Sequence, residues 1–190
     1  MENQKENSQH QFSSREKIPN AAFRVMTGVM GLFDLFGNHS NNKFKTLGLK
    51  PDQTVIDYGC GPARYIKNAS LAVGESGRVI AVDIHPKAID AVNSKITKYS
   101  LKNVEPVLAN GYSTDVPNQT ADVVYALDMF HMVQEPTFLL KELHRMLKPD
   151  GTLILEDGHQ ARSKTLQKIN DSKIFDIAEE NKLHVKCKPA

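Results

Sequence analysis

The chain has 190 residues, 40% of them hydrophobic and 24% charged, with a formal net charge of +2. That length supports one domain with a sizeable core, and so small a net charge gives no basis for a strong electrostatic hold on nucleic acid. Two cysteines, Cys60 and Cys187, do not make a disulfide framework and favour a reducing, cytoplasmic setting.

Residues 1–17 are mostly Gln, Asn, Ser, Lys and Glu, and are expected to form a disordered tail. Residues 18–46 are read as a helical segment. Its apolar stretch from Ala22 to Phe36 includes Phe23, Met26, Met30, Phe33 and Phe36, and is broken by Arg24, Gly28, Gly31 and Asp34. It is shorter than the roughly 20 residues of a membrane span. No small-residue cleavage site marks it as a signal peptide. Three readings stay open: a helix packed on the domain, an adaptable lid over an apolar substrate, or a membrane-surface helix.

Residues 47–190 read as the main domain, and regular alternation begins at Pro51. A strand is expected over 54–58, where Val55 and Ile56 are β-branched. Gly59 and Gly61 then allow a tight turn to which a ligand can come close. A helix is expected over 62–73, with Pro62 in its first turn. Strands follow at 78–83, 104–108, 122–127 and 152–156, alternating with helices after Pro86, from Glu135 to Leu147, and over 161–170. Lys148-Pro149-Asp150-Gly151 is expected to be a turn. The last twenty residues suit either a continued helix over 172–180 or a hairpin around Glu180-Asn181. Such alternation implies a mostly parallel sheet covered on both faces.

The turn after the first strand identifies a ligand class. In a dinucleotide fingerprint the sixth position is Gly or Ala, and here it is Arg64. Asp57 stands two residues before Gly59, where a carboxylate repels a pyrophosphate and attracts a cation. S-adenosylmethionine, with a sulfonium and an ammonium and no phosphate, fits that turn.

The run Asp57-Tyr58-Gly59-Cys60-Gly61-Pro62 resembles motif I of the class I S-adenosylmethionine-dependent methyltransferases. The stretch Lys141–Ile154 resembles the helix–turn–strand of their small UbiE-like members. The resemblance implies a Rossmann-like α/β fold, with a seven-stranded, mostly parallel sheet, an antiparallel last strand and helices on both faces. It thereby favours the hairpin at the C-terminus.

The resemblance also implies a set of site residues. Asp57, Tyr58, Gly59, Cys60 and Gly61 form the cofactor turn. Asp83 reaches the ribose hydroxyls and Ile84 packs on adenine. Asn110 stands where family members commonly carry Asp, and accepts from the adenine amino group through its carbonyl oxygen, with Gly111 beside it. Leu127 contacts the methionine part. Asp128, His131 and His159 are the candidate catalytic or substrate-binding groups, with Asp157 as a further side chain facing His131. The spacing of His131, Asp157 and His159 is not a recognised metal signature, so no metal is expected.

The expected reaction is methyl transfer by in-line displacement to a small-molecule acceptor, which is apolar in the lid reading. A methyl carrier binder without turnover, a nicotinamide-dependent oxidoreductase and a peripheral membrane enzyme on a quinone or isoprenoid remain as rivals. Neither nucleic acid nor a transmembrane segment is expected. Oligomeric state and acceptor are left open.

Overall fold

The computed structural model describes residues 19–22, 25 and 44–190. The expected tail over 1–17 and nearly all of the expected segment over 18–46 lie outside the described residues. Among the described residues, no helix is long and apolar enough to cross a membrane.

Seven strands form one sheet in the order β3-β2-β1-β4-β5-β7-β6. They are β1 Thr54–Tyr58, β2 Arg78–Asp83, β3 Val104–Leu108, β4 Ala121–Ala126, β5 Leu147–Leu155, β6 Phe175–Glu180 and β7 Val185–Pro189. The first five pair in parallel. β7 runs antiparallel between β5 and β6. Four helices connect them: α1 Ile66–Val73, α2 Pro86–Tyr99, α3 Pro136–Met146 and α4 Arg162–Ser172. This is the Rossmann-like class I architecture, and the C-terminal segment takes the hairpin form. Asn181 shapes that hairpin, its Oδ1 accepting from Leu183 and His184 N–H at 2.8 and 3.0 Å.

Alternation along the strands divides the core between two faces, as the pleat requires. Ile56, Tyr58, Ile80, Val82, Val124 and Leu155 face α3 and α4 residues such as Leu139, Leu143 and Ile169. Val55, Val79, Ala81, Val123, Tyr125 and Ile154 face the other way, towards Ile66, Val73, Ala88 and Val92 of α1 and α2. Phe44 closes that second face, its ring stacked on Tyr65 with centroids 5.6 Å apart. The buried core therefore begins before residue 47.

Two local expectations are corrected. The helix after the glycine turn starts at Ile66, not at Pro62. Ala63 lies at φ 59°, outside helical geometry, and its N–H closes a turn on the Cys60 carbonyl at 2.9 Å. Residues 148–151 are not a free turn but belong to β5. Ala121 pairs with Leu147 and Val123 with Thr152, so four residues bulge opposite Asp122. Lys148 Nζ anchors the bulge on Asp122 at 2.6 Å.

Candidate active site

Parallel pairing brings the carboxyl ends of β1 to β5 to one edge, the place where open α/β sheets bind ligands. The sequence candidates lie at these ends in spatial order: Asn110 and Gly111 after β3, Asp83 and Ile84 at the end of β2, residues 57–61 at β1, Leu127 to His131 after β4, and His159 after β5.

The glycine turn hangs from β2. Gly59 and Cys60 N–H both donate to the Val82 carbonyl, at 2.8 and 3.0 Å. Asp83 holds the other side, its Oδ2 accepting from Gly61 N–H at 2.9 Å and its Oδ1 from His85 N–H at 2.8 Å. Gly59 has φ 79°, and a Cβ there would lie 2.8 Å from Met129 Cγ. The loop after β4 is thus packed directly on the turn. At Gly61 a Cβ would meet nothing closer than 4.0 Å, so that side of the turn is open.

Asp57 is 2% exposed, on the same face as its strand partner Tyr125. Its Oδ2 is buried and makes no hydrogen bond. Burial pushes its carboxyl up to about 7, with the Tyr125 hydroxyl opposing and Asp83 adding to the rise. A buried carboxyl that ionises near neutrality, at the base of an open glycine turn, suits a cationic ligand. The residues present therefore fit a sulfonium-bearing cofactor.

Tyr58 and Cys60 are core side chains, 3% and 6% exposed. The Tyr58 hydroxyl donates to the Tyr112 carbonyl at 3.3 Å, tying the turn strand to the loop after β3. In that loop Asn110 and Ser113 exchange backbone hydrogen bonds of 2.9 and 3.2 Å, and Asn110 is exposed. Glu142 of α3 steadies the loop by accepting from Thr114 N–H at 2.8 Å, and Arg145 donates to the Val116 carbonyl at 2.7 Å. Ile84 packs against the core, and Leu127 is buried near Cys60 and Ala63.

At the β4–β5 end, Asp128, His131 and His159 converge. Asp128 Oδ1 lies 4.0 Å from His131 Nδ1 and 3.9 Å from His159 Nε2. The two imidazoles meet edge to face, with centroids 5.0 Å apart. Burial holds His131 below the usual histidine range, against the pull of Asp128. Asp157 does not join them. Both its oxygens take the Arg162 Nε–H at 2.9 Å, and Arg162 also donates to the Asn181 carbonyl at 2.9 Å. That guanidinium turns Asp157 towards the C-terminal hairpin.

Three contributors were not picked out from the sequence. Met129 covers Gly59. Lys168 of α4 donates to the Phe130 and Val133 carbonyls at 3.0 and 3.4 Å, fixing the short 3₁₀ turn Phe130–Met132 that carries His131. Gly158, at φ 60°, leaves the space that the His131 ring occupies. Only the last had a visible signal, a glycine immediately before a candidate histidine at a strand end.

The sequence profile of the methyltransferase domain family matches residues 56–155, the span from β1 to β5. The chain belongs to that family. It is 29% identical over 138 residues to a demethylmenaquinone methyltransferase of Lysinibacillus sphaericus, covering 72% of this chain and 57% of that protein. It is also 29% identical over 159 residues to a ubiquinone/menaquinone biosynthesis C-methyltransferase UbiE of Escherichia fergusonii, covering 82% of this chain and 62% of that one. The chain thus spans about six tenths of the length of these curated relatives. A methyltransferase structure from Aquifex aeolicus superposes with a TM-score of 0.72 at 24% identity, covering 80% of this chain and 90% of that one. The fold and the family resemblance read from residues 57–62 are both borne out.

Proposed function

We propose that the protein transfers a methyl group from S-adenosylmethionine to a small-molecule acceptor. The observation that carries this reading is Asp57, a carboxyl 2% exposed and pushed up to about 7, under an open glycine turn in a methyltransferase-family chain. When bound, the cofactor supplies an activated methyl on sulfur, and the bonding pair stays with sulfur as a neutral thioether.

The chain's own residues hold and orient. In this reading the turn 57–61 receives the cationic methionine end, and Asp83 receives the ribose hydroxyls through lone pairs not used by Gly61 and His85. Asn110 and Gly111 border the adenine, with Ile84 on its face. Leu127 and Met129 keep water from the reacting end. Asp128, His131 and His159 hold the ionisable group of the acceptor and bring it to its reactive form. The names of the curated relatives support a quinone-type ring as acceptor, which is apolar and suits contact with a membrane surface. Two buried free thiols, Cys60 and Cys187, support a cytoplasmic setting.

Labelled donor incubated with a panel of quinols, phenols and thiols tests this. Label in a quinol product supports the reading, and donor binding without transfer to any member would instead favour a binding protein. A separate outcome concerns Asp83. The Asp83→Ala variant loses the ribose contact and frees the N–H groups of Gly61 in the turn and His85 before α2. It is expected to weaken S-adenosylhomocysteine binding by on the order of 1–3 kcal/mol. Asp83→Asn, which keeps one carbonyl acceptor, falls between. Unchanged affinity in calorimetry would remove Asp83 from the site.

A further inference from the structure

The ligand atoms of Asp128, His131 and His159 all lie within 4.8 Å of one another. Their separations of 3.9 and 4.0 Å are too long for hydrogen bonds, so the cluster is not a proton relay as it stands. His131 Nδ1 is buried and no hydrogen bond reaches it. Leaving such an atom unsatisfied is costly, and a neutral imidazole nitrogen offers a lone pair to a metal.

We propose that Asp128, His131 and His159 form a site for one divalent cation of the zinc, cobalt or iron type, facing the acceptor. Metal–ligand bonds near 2.1 Å at tetrahedral angles put ligand atoms about 3.4 Å apart. The set must therefore close by roughly half an ångström to 1.5 Å, judged against those bond lengths. His159 can supply the movement, since its side chain is 83% exposed and rotates without disturbing the core. His131 is the fixed ligand, held by the turn that Lys168 anchors. Two imidazoles and one carboxylate select borderline metals and disfavour magnesium and calcium, which take oxygen sets.

The charge count points to the acceptor. One carboxylate and two neutral imidazoles leave a dication with one surplus positive charge. Three protein ligands also leave a position open, as in catalytic metal sites. The acceptor class is then a molecule that ionises at oxygen or sulfur: an enol, a phenol or quinol, or a thiol. The inference rests on the proposed methyl transfer for where the acceptor stands. The cation would lower the acceptor's own pKa, so that its proton passes to solvent and no imidazole base is needed.

The test is a Co²⁺ titration of untagged, chelator-stripped full chain, followed by visible absorption and calorimetry. S-adenosylhomocysteine binding is measured on the same samples. One equivalent of Co²⁺ is expected, displaced by Zn²⁺ and not by Mg²⁺ at about 1 mM. His159→Ala and Asp128→Asn should each weaken Co²⁺ binding more than about 10-fold, the scale for damage to a metal site. His144→Gln, outside the cluster, should not. Absence of saturable Co²⁺ binding, or binding untouched by both cluster variants, overturns the site. S-adenosylhomocysteine binding that persists in those variants shows that they fold. Its absence in the parent protein would count against the cofactor reading instead.

Discussion

Asp57→Asn is expected to stabilise the cofactor-free protein above neutral pH while weakening its hold on S-adenosylmethionine. The carboxyl is fully buried, and its folded value of about 7 stands above the ordinary 3.8. Between those two values the native state keeps a proton that the unfolded chain has lost. Stability therefore falls as pH rises through this window, and the whole cost of the buried charge is present above about pH 7. A displacement of that size corresponds to on the order of 4 kcal/mol. The amide keeps the shape and does not ionise. The variant should melt several degrees higher near pH 8, about 2–4 °C for each kcal/mol regained, gain less near pH 5, and show little difference only below about pH 4. Cofactor binding moves the other way. A cation on the turn draws the proton off Asp57, so parental affinity should rise from about pH 6 to 8 with proton release visible in buffers of different ionisation enthalpy. The variant should bind on the order of 10–100-fold more weakly, the scale of a lost charge-assisted contact, without that pH dependence. A variant that melts no higher near pH 8 and binds as tightly would show that Asp57 is an inert core residue.

Gly158→Ala should cut turnover on the order of 10²-fold without emptying the cofactor site. A Cβ at Gly158 would fall 2.1 Å from His131 Nδ1 and 2.9 Å from its Cγ, so the ring must leave its place. The backbone there has φ 60°, which adds about 1–2 kcal/mol of strain for a residue with a Cβ. Displacing a reacting group by an ångström can cost on the order of 10²-fold in rate, and a loss of that size is expected with the acceptor found in the panel. The glycine turn at β1 is held by β2 and not by this loop. S-adenosylhomocysteine affinity should therefore fall far less than turnover, since His131 reaches the turn only through Met129 of its own loop. Turnover equal to the parent's would mean that His131 has no part in the reaction.

The strands were legible because their buried, β-branched residues alternate with turn residues. The motif at 57–62 carried the family because glycines, acid and spacing all lie within six residues. The helix start was missed because Pro62 favours a first turn, whereas the left-handed Ala63 delays the helix to Ile66. The bulge at 148–151 was misread because Pro and Gly mark turns and bulges alike. Asp157 was placed with His131 from adjacency to the strand end. Only the structure puts Arg162 on it, five residues later and across the start of α4. The cluster of Asp128, His131 and His159 spans 32 residues of chain. It forms because Ala126 pairs with Leu155, which sets the loops after β4 and β5 side by side. All three are candidates at the carboxyl edge from sequence alone, and the strand pairing supplies the reason they meet.

The central claim is that the turn 57–61 binds S-adenosylmethionine, and calorimetry with S-adenosylhomocysteine beside NADH tests it most directly. The account predicts micromolar binding of the first and none of the second. NADH binding without S-adenosylhomocysteine binding would contradict it, because it would mean that Asp57 tolerates a pyrophosphate on the turn.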